Sequence, residues 1–124
     1  MALYEFFPNY MWNLSVAIAV ASGAELGEVV DMCDPIRRAA DENADAGTPE
    51  FIKQWSAKAD TLCEMADEDL ARGRSFSAAE KLRRASLYYT TAERMQDASK
   101  PSKAVTFGKA QDAFKKYIEH SGEN

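Results

Sequence analysis

Side chains suited to catalysis are few in this sequence of 124 residues. The one histidine, His120, lies close to the chain end, where an oriented general base for a serine or cysteine nucleophile is difficult to build. The sequence also lacks a G-x-S-x-G nucleophile motif, a G-x-G-x-x-G turn and a phosphate-binding loop. No catalytic residue is therefore predicted in this chain.

Metal and cofactor sites also lack a motif. The two cysteines, Cys33 and Cys63, are thirty positions apart, and neither C-x-x-C nor H-E-x-x-H occurs. We expect both thiols to be reduced and to pack as small hydrophobic groups. A run of carboxylates lies on one predicted helix and projects in different directions, which favours a solvated acidic face over a cation site. These residues are Glu64, Asp67, Glu68 and Asp69.

Aromatic residues are the most unusual feature of the sequence. Five rings fall within nine positions at the N-terminus: Tyr4, Phe6, Phe7, Tyr10 and Trp12. We expect this segment to pack over a helical core, with some rings facing a second surface, because a small domain has little interior for so many large side chains. Tyr88 and Tyr89 are adjacent on a predicted helix, about 100 degrees apart, so both cannot point squarely into one core. We predict that Tyr88 is the one available to a ligand or partner.

The excess of acidic over basic residues limits the partners of the chain, and its length limits the number of domains. A formal net charge of -5 disfavours nucleic acid, whose phosphates bind clustered Lys and Arg. The apolar stretch 14–21 is too short to span a bilayer, which takes about 20 residues, and no basic residue precedes it as in a signal peptide. We therefore expect a cytoplasmic protein that binds neither nucleic acid nor membranes. Residues 1–124 fit a single domain, since domains typically have about 100 to 150 residues.

Apolar residues recur at steps of three or four, which predicts an all-α fold of five to six helices around one core. The clearest helix starts with Thr48 as cap and Pro49 at its first position, and it ends at Gly73. Its predicted buried stripe is Phe51, Trp55, Ala59, Leu62, Ala66 and Leu70. The next helix opens with a capping box at Ser77 and Glu80. Its predicted face is Leu82, Ala85, Tyr89, Ala92 and Met95. The short connection predicts an antiparallel, tetratricopeptide-like hairpin.

Weaker helical patterns lie before and after this hairpin. A helix from about Tyr10 to Ser22 is predicted to bury Met11, Leu14, Ala17, Ile18 and Ala21. Two short helices, 25–33 and 35–44, are predicted to be broken at Asp34-Pro35. The last predicted helix is amphipathic, and its apolar face is expected to be Val105, Phe107, Ala110, Phe114, Tyr117 and Ile118.

Three segments in this order resemble one family. They are residues 4–13 (YEFFPNYMWN), residues 55–60 (WSAKAD), and residues 73–89 (GRSFSAAEKLRRASLYY) followed by 91–95 (TAERM). They are similar to the N-terminal helical domain of the α/β-hydrolases that include fermentation-respiration-switch-like esterases, fungal pigment polyketide-shortening hydrolases and dihydroxypseudooxynicotine hydrolase. The likeness covers nearly the whole chain.

The resemblance implies a lid over the active-site cleft of a catalytic α/β domain that this chain does not contain. It implies hydrolysis of an ester or C–C bond in a small aromatic or keto substrate, dimer contacts through the lid, and no activity of the lid alone. It further implies that Tyr10, Trp12, Asn13, Tyr88 and Tyr89 face the substrate pocket. Two alternatives stay open, namely a stand-alone helical protein-interaction module and a small helical cyclase or isomerase with Tyr and Glu as acid and base.

Overall fold

The computed structural model of the chain describes residues 7, 9–43 and 47–122, and in these ranges it has five helices and no strand. The all-α fold expected from the sequence is confirmed. The helices are α1 (Tyr10–Ala21), α2 (Leu26–Glu42), α3 (Gly47–Ala71), α4 (Ser75–Arg94) and α5 (Pro101–His120). Tyr4 and Phe6 of the aromatic N-terminus lie outside the described residues.

The central hairpin of α3 and α4 follows the predicted pattern. Phe51, Trp55, Ala59, Leu62 and Ala66 of the stripe are all buried, and Leu70 is half-buried. Asp69 contacts Lys81 near the turn while Asp60 contacts Tyr89 farther away, so the two helices are antiparallel. Small residues on both helices are buried at this joint: Ala59, Ala66, Ala78, Ala85 and Ala92. Gly73 has φ +74° just beyond α3, a conformation that few other residues adopt. The likeness to a tetratricopeptide unit stays a prediction.

Helix α2 is continuous, and the predicted break at Asp34-Pro35 is wrong. Pro35 lies inside the helix. Its ring removes one helical hydrogen bond, which destabilises an isolated helix by about 3 kcal/mol. However, Met32, Cys33 and Ile36 are almost fully buried on both sides of the proline, so packing on the core holds the helix together.

The predicted starts of α3 and α4 also need correction. Helix α3 begins at Gly47, one residue before the expected cap Thr48. Helix α4 begins at Ser75, so Ser77 lies inside it and no capping box forms. Instead, the Ser77 hydroxyl donates to Asp69, and Glu80 pairs with Arg83. For Ser77, a partner on the neighbouring helix α3 therefore takes precedence over the local cap.

The two outer helices turn a different face inward than their sequences predict. In α1 the buried residues are Trp12, Val16 and Ala19, whereas Met11, Leu14, Ile18 and Ala21 are exposed. In α5 the buried residues are Thr106, Ala110 and Ala113. Among the residues expected to be inside, Val105, Phe107, Phe114 and Ile118 are exposed. Both helices carry apolar residues on two faces, so periodicity did not identify the buried one.

Candidate functional site

The N-terminal motif is anchored by Trp12. The Asn9 side chain accepts the backbone N–H of Trp12 at 3.0 Å and caps α1. The Trp12 ring packs edge-on against Phe7, and its indole N–H donates to the Thr48 hydroxyl at 3.0 Å. Gly47 lies directly under the ring, since a Cβ there would be 2.0 Å from the Trp12 Cη2 atom. Trp12 thus joins α1 to the start of α3.

The neighbours of Trp12 in the motif have different surroundings. Asn13 is half-buried, and its side-chain oxygen accepts the Phe7 N–H at 3.4 Å. Tyr10 is 75% exposed, at the first position of α1. Of the predicted substrate contacts in this motif, Tyr10 is the one whose ring faces outward.

Tyr88 is wholly buried, which contradicts the expectation that it is available to a ligand. Its hydroxyl donates to Glu28 at 2.6 Å and accepts the Glu25 N–H at 3.1 Å. Arg84 binds the same Glu28 carboxylate at 2.9 Å. Burial, followed by the Glu28 hydrogen bond, raises the pKa of Tyr88 far above its usual value. This cluster ties α2 to α4 and holds Tyr88 as a neutral hydrogen-bond donor.

Tyr89 is also buried, on a different side of α4. Its hydroxyl donates to Asp60 and lies 3.9 Å from the Cys63 sulfur. Asp60 also pairs with Lys109 of α5 at 3.5 Å. Burial raises the pKa of Tyr89 and also the pKa of the Cys63 thiol. Tyr89, Cys63 and Lys109 line a small cavity of about 140 Å³ between α3, α4 and α5.

The five predicted substrate contacts therefore do not form one site. Trp12 and Asn13 organise the N-terminus, Tyr88 belongs to the Glu28–Arg84 cluster, and Tyr89 belongs to the Asp60–Lys109 cluster. Both adjacent tyrosines are buried because α4 has neighbours on several sides, with α2, α3 and α5 all in contact with it.

A larger cavity, of about 450 Å³, lies where α3 starts and α4 turns into α5. Its apolar lining comes from Pro49, Ile52 and Met95. Its polar lining includes Thr48, Gln96 and Ser102, with the charged residues Asp97 and Lys100 beside them. None of these residues was predicted to contact a ligand. The only local signal is the polar turn before Pro101, and its closeness to residues 48–52 arises from the tertiary fold.

The described residues carry little other chemistry. They contain no group of three or more His, Cys, Asp or Glu side chains placed to bind a metal ion. Both cysteines are free, as predicted, and burial raises the pKa of Cys33 to about 12, so its thiol is unreactive at neutral pH.

His120 is half-buried, and its Nε2 atom lies 4.0 Å from a carboxylate oxygen of Glu119. The acidic run is exposed except at Asp69, which is buried against Lys81 and so departs from the expected solvated face.

Comparisons of the chain with known proteins found no relative. No protein-family model, no curated protein and no solved structure matches the chain. Within the described residues, no helix combines the length and the apolar character needed to cross a membrane.

Proposed function

We propose that this chain is the lid and substrate-binding domain of an α/β-hydrolase that cleaves ester or C–C bonds, inactive without its catalytic domain. The proposal starts from the resemblance of residues 4–13, 55–60 and 73–95 to such lids. The structural observation that supports it is the outward face of α1.

Helix α1 has no charged residue, and its apolar residues surround its axis. Trp12, Val16 and Ala19 face inward, while Met11, Leu14 and Ile18 are between 38% and 60% exposed on the opposite side. A helix that is apolar on all sides is normally covered on all sides. A lid has such a face, because its underside closes over a catalytic domain and excludes water from the cleft.

The outward face of α5 is a second surface of this kind. Phe107, Phe114 and Ile118 are each about half exposed and recur at steps of seven and four, so they form one stripe along the helix. Helix α5 buries only small side chains in the domain. In the proposed assembly, the stripes on α1 and α5 contact the catalytic domain or a second lid, and Tyr10 is the ring best placed to reach a small aromatic or keto substrate.

Intact mass of the protein isolated from its natural source tests the proposal. We expect a mass well above 13.8 kDa, since a catalytic α/β domain would be part of the same chain. The purified 124-residue chain should not hydrolyse aryl esters or β-diketones. A natural protein of 13.8 kDa, or turnover by the isolated chain, would contradict the proposal.

A stand-alone protein-interaction module is the second candidate. It is favoured by Phe76, which is 80% exposed beside the turn of the α3–α4 hairpin, in addition to the stripes on α1 and α5. A natural mass of 13.8 kDa together with a stable protein complex would support this function. A cyclase or isomerase is less favoured, because Tyr88 and Tyr89 are buried with raised pKa values and engaged hydroxyls.

A further inference from the structure

The 450 Å³ cavity between the start of α3 and the α4–α5 turn has the dimensions of a small-molecule site. Most of its lining is apolar, from Pro49, Ile52 and Met95. Ile52 and Met95 are only partly buried by the rest of the chain, so an apolar ligand would remove exposed hydrophobic surface from water.

The polar side of this cavity is held in place by its own hydrogen bonds. Gln96 is only 8% exposed, and its amide donates to Thr106 at 2.9 Å while its oxygen accepts from Ser102 at 2.6 Å. Thr48 is fixed by the indole N–H of Trp12. A primary amide and two hydroxyls retain further capacity for hydrogen bonds, so these groups offer an ordered polar edge to a ligand.

The charged groups at the cavity are not equivalent. Asp97 accepts from the backbone N–H of Ser99 at 3.0 Å and from its hydroxyl at 3.1 Å, and the backbone bond is the main reason that the pKa of Asp97 is lowered. Lys100 is exposed and has no ion pair within 4 Å among the described residues, although its charge also contributes to the lowered pKa of Asp97. Because Asp97 is held by hydrogen bonds within its own turn, the Lys100 ammonium is the charged group at the cavity that is open to an anion.

We infer that this cavity binds a small organic anion with an apolar body, such as an aryl or short-chain carboxylate, whose carboxylate contacts Lys100. The apolar body lies against Ile52 and Met95, and the Thr48 hydroxyl, which accepts from Trp12 and keeps its own proton, donates to the carboxylate. This site is independent of the proposed lid function, since it is built from one chain and uses neither outward stripe.

Indole N–H resonances provide a direct measurement on the 124-residue chain. The protein has two tryptophans, and Trp12 is bonded to a residue of the cavity, whereas Trp55 lies in the core, where its indole N–H has no hydrogen-bond partner among the described residues. The chain is titrated with phenylacetate, with neutral phenylacetamide and with cationic phenethylamine. We expect saturable shifts of the Trp12 signal and smaller shifts of the Trp55 signal. Phenylacetate should bind about two- to fivefold more tightly than the amide, because water weakens an ion pair with an exposed lysine.

The variant Lys100→Gln should remove this preference, and Lys115→Gln should keep it, because Lys115 is an exposed lysine that does not line the cavity. Far-UV circular dichroism checks that both variants are folded. The inference is overturned if phenylacetate causes no saturable shift, if the amide or the amine binds as tightly as the carboxylate, or if Lys100→Gln leaves the preference unchanged.

Discussion

At the scale of single residues, the most constrained polar group is the hydroxyl of Tyr88. It has one donor partner, the N–H of the cap residue Glu25, and one acceptor partner, Glu28 of α2, and Arg84 binds the same Glu28 oxygen. Its ring also packs edge-on against Trp55, with centroids 5.4 Å apart. Tyr88 therefore joins the hydrophobic core to a buried charged cluster.

Replacing Tyr88 by Phe should lower the free energy of unfolding by about 1–3 kcal/mol, because a buried N–H and a carboxylate would each lose a partner. Urea unfolding measures this change. The matched control is Tyr10→Phe, which removes a hydroxyl from a ring that is 75% exposed and should change stability by less than about 0.5 kcal/mol. Equal effects of the two substitutions would show that the Tyr88 hydroxyl does not stabilise the fold.

Replacing glycine by alanine should have opposite effects on stability at Gly47 and at Gly108. A Cβ at Gly47 would lie 2.0 Å from the Trp12 ring, so Gly47→Ala should displace the indole, weaken its bond to Thr48 and lower stability by about 1–3 kcal/mol. Gly108 lies inside α5 with nothing within 4 Å of an added Cβ, so Gly108→Ala should raise stability by about 1 kcal/mol. Thermal unfolding and tryptophan fluorescence measure both variants. A stabilising Gly47→Ala would disprove the packing of Trp12 on Gly47.

At the scale of elements, one buried carboxylate of α3 binds two side chains of α4 where the two helices meet. Asp69 accepts from Lys81 at 2.6 Å and from Ser77 at 2.8 Å, close to the turn that connects the helices. The Lys81 hydrogen bond is the main cause of the lowered pKa of Asp69, with Ser77 second. The joint of α4 and α5 is different, because α5 contributes only small buried residues together with the Lys103–Glu93 ion pair, whereas Lys109 of α5 pairs with Asp60 of α3.

The lowered pKa of Asp69 predicts a pH dependence of stability. Since the folded-state pKa lies below the ordinary value of 3.8, the stabilisation is fully present above that value and is lost as the pH falls through the folded pKa. The urea concentration at the midpoint of unfolding should fall as the pH is lowered from neutral into this acid range. The fall should be smaller in Asp69→Asn, which is already destabilised at neutral pH.

Asp67→Asn is the control for this titration, because Asp67 is exposed and its ion pair with Lys116 is long, at 3.9 Å. It should keep the acid-induced fall of the wild type. An Asp69→Asn variant whose midpoint falls as steeply as that of the wild type would exclude Asp69 as a source of the pH dependence.

At the scale of the whole molecule, the domain exposes more apolar surface than its own core needs. The outward residues of α1 and α5 include Met11, Ile18, Phe107 and Phe114, each between 39% and 60% exposed. Surfaces of this kind associate with themselves or with a partner. In the lid proposal, the isolated chain lacks the catalytic domain that would cover them.

We therefore expect the isolated chain to self-associate as its concentration rises, in sedimentation-velocity measurements. The double variant Met11→Gln/Ile18→Gln should shift the protein toward monomer while each substitution changes stability by less than about 0.5 kcal/mol. The control Val16→Ala, on the buried face of the same helix, should instead lower stability by about 2 kcal/mol and leave self-association intact. A wild-type chain that stays monomeric at all concentrations would argue against α1 as an association surface.

The sequence by itself determined the helical class, the core stripe of α3 and the glycine that ends that helix. These features depend on residues close together in the chain, through the 3.6-residue period and the special conformation of Gly73. That both cysteines are free was also predictable from residue type.

Only the tertiary structure decided the rest. Pro35 remains in a helix because packing on both sides compensates for a lost hydrogen bond. Tyr88 and Tyr89 are both buried because α4 is covered by different helices on different sides. The cavity at Lys100 exists because the start of α3 lies beside a turn about fifty residues away. Local patterns identify which residues are apolar, but which of two apolar faces is buried depends on the neighbours that the whole fold brings to it.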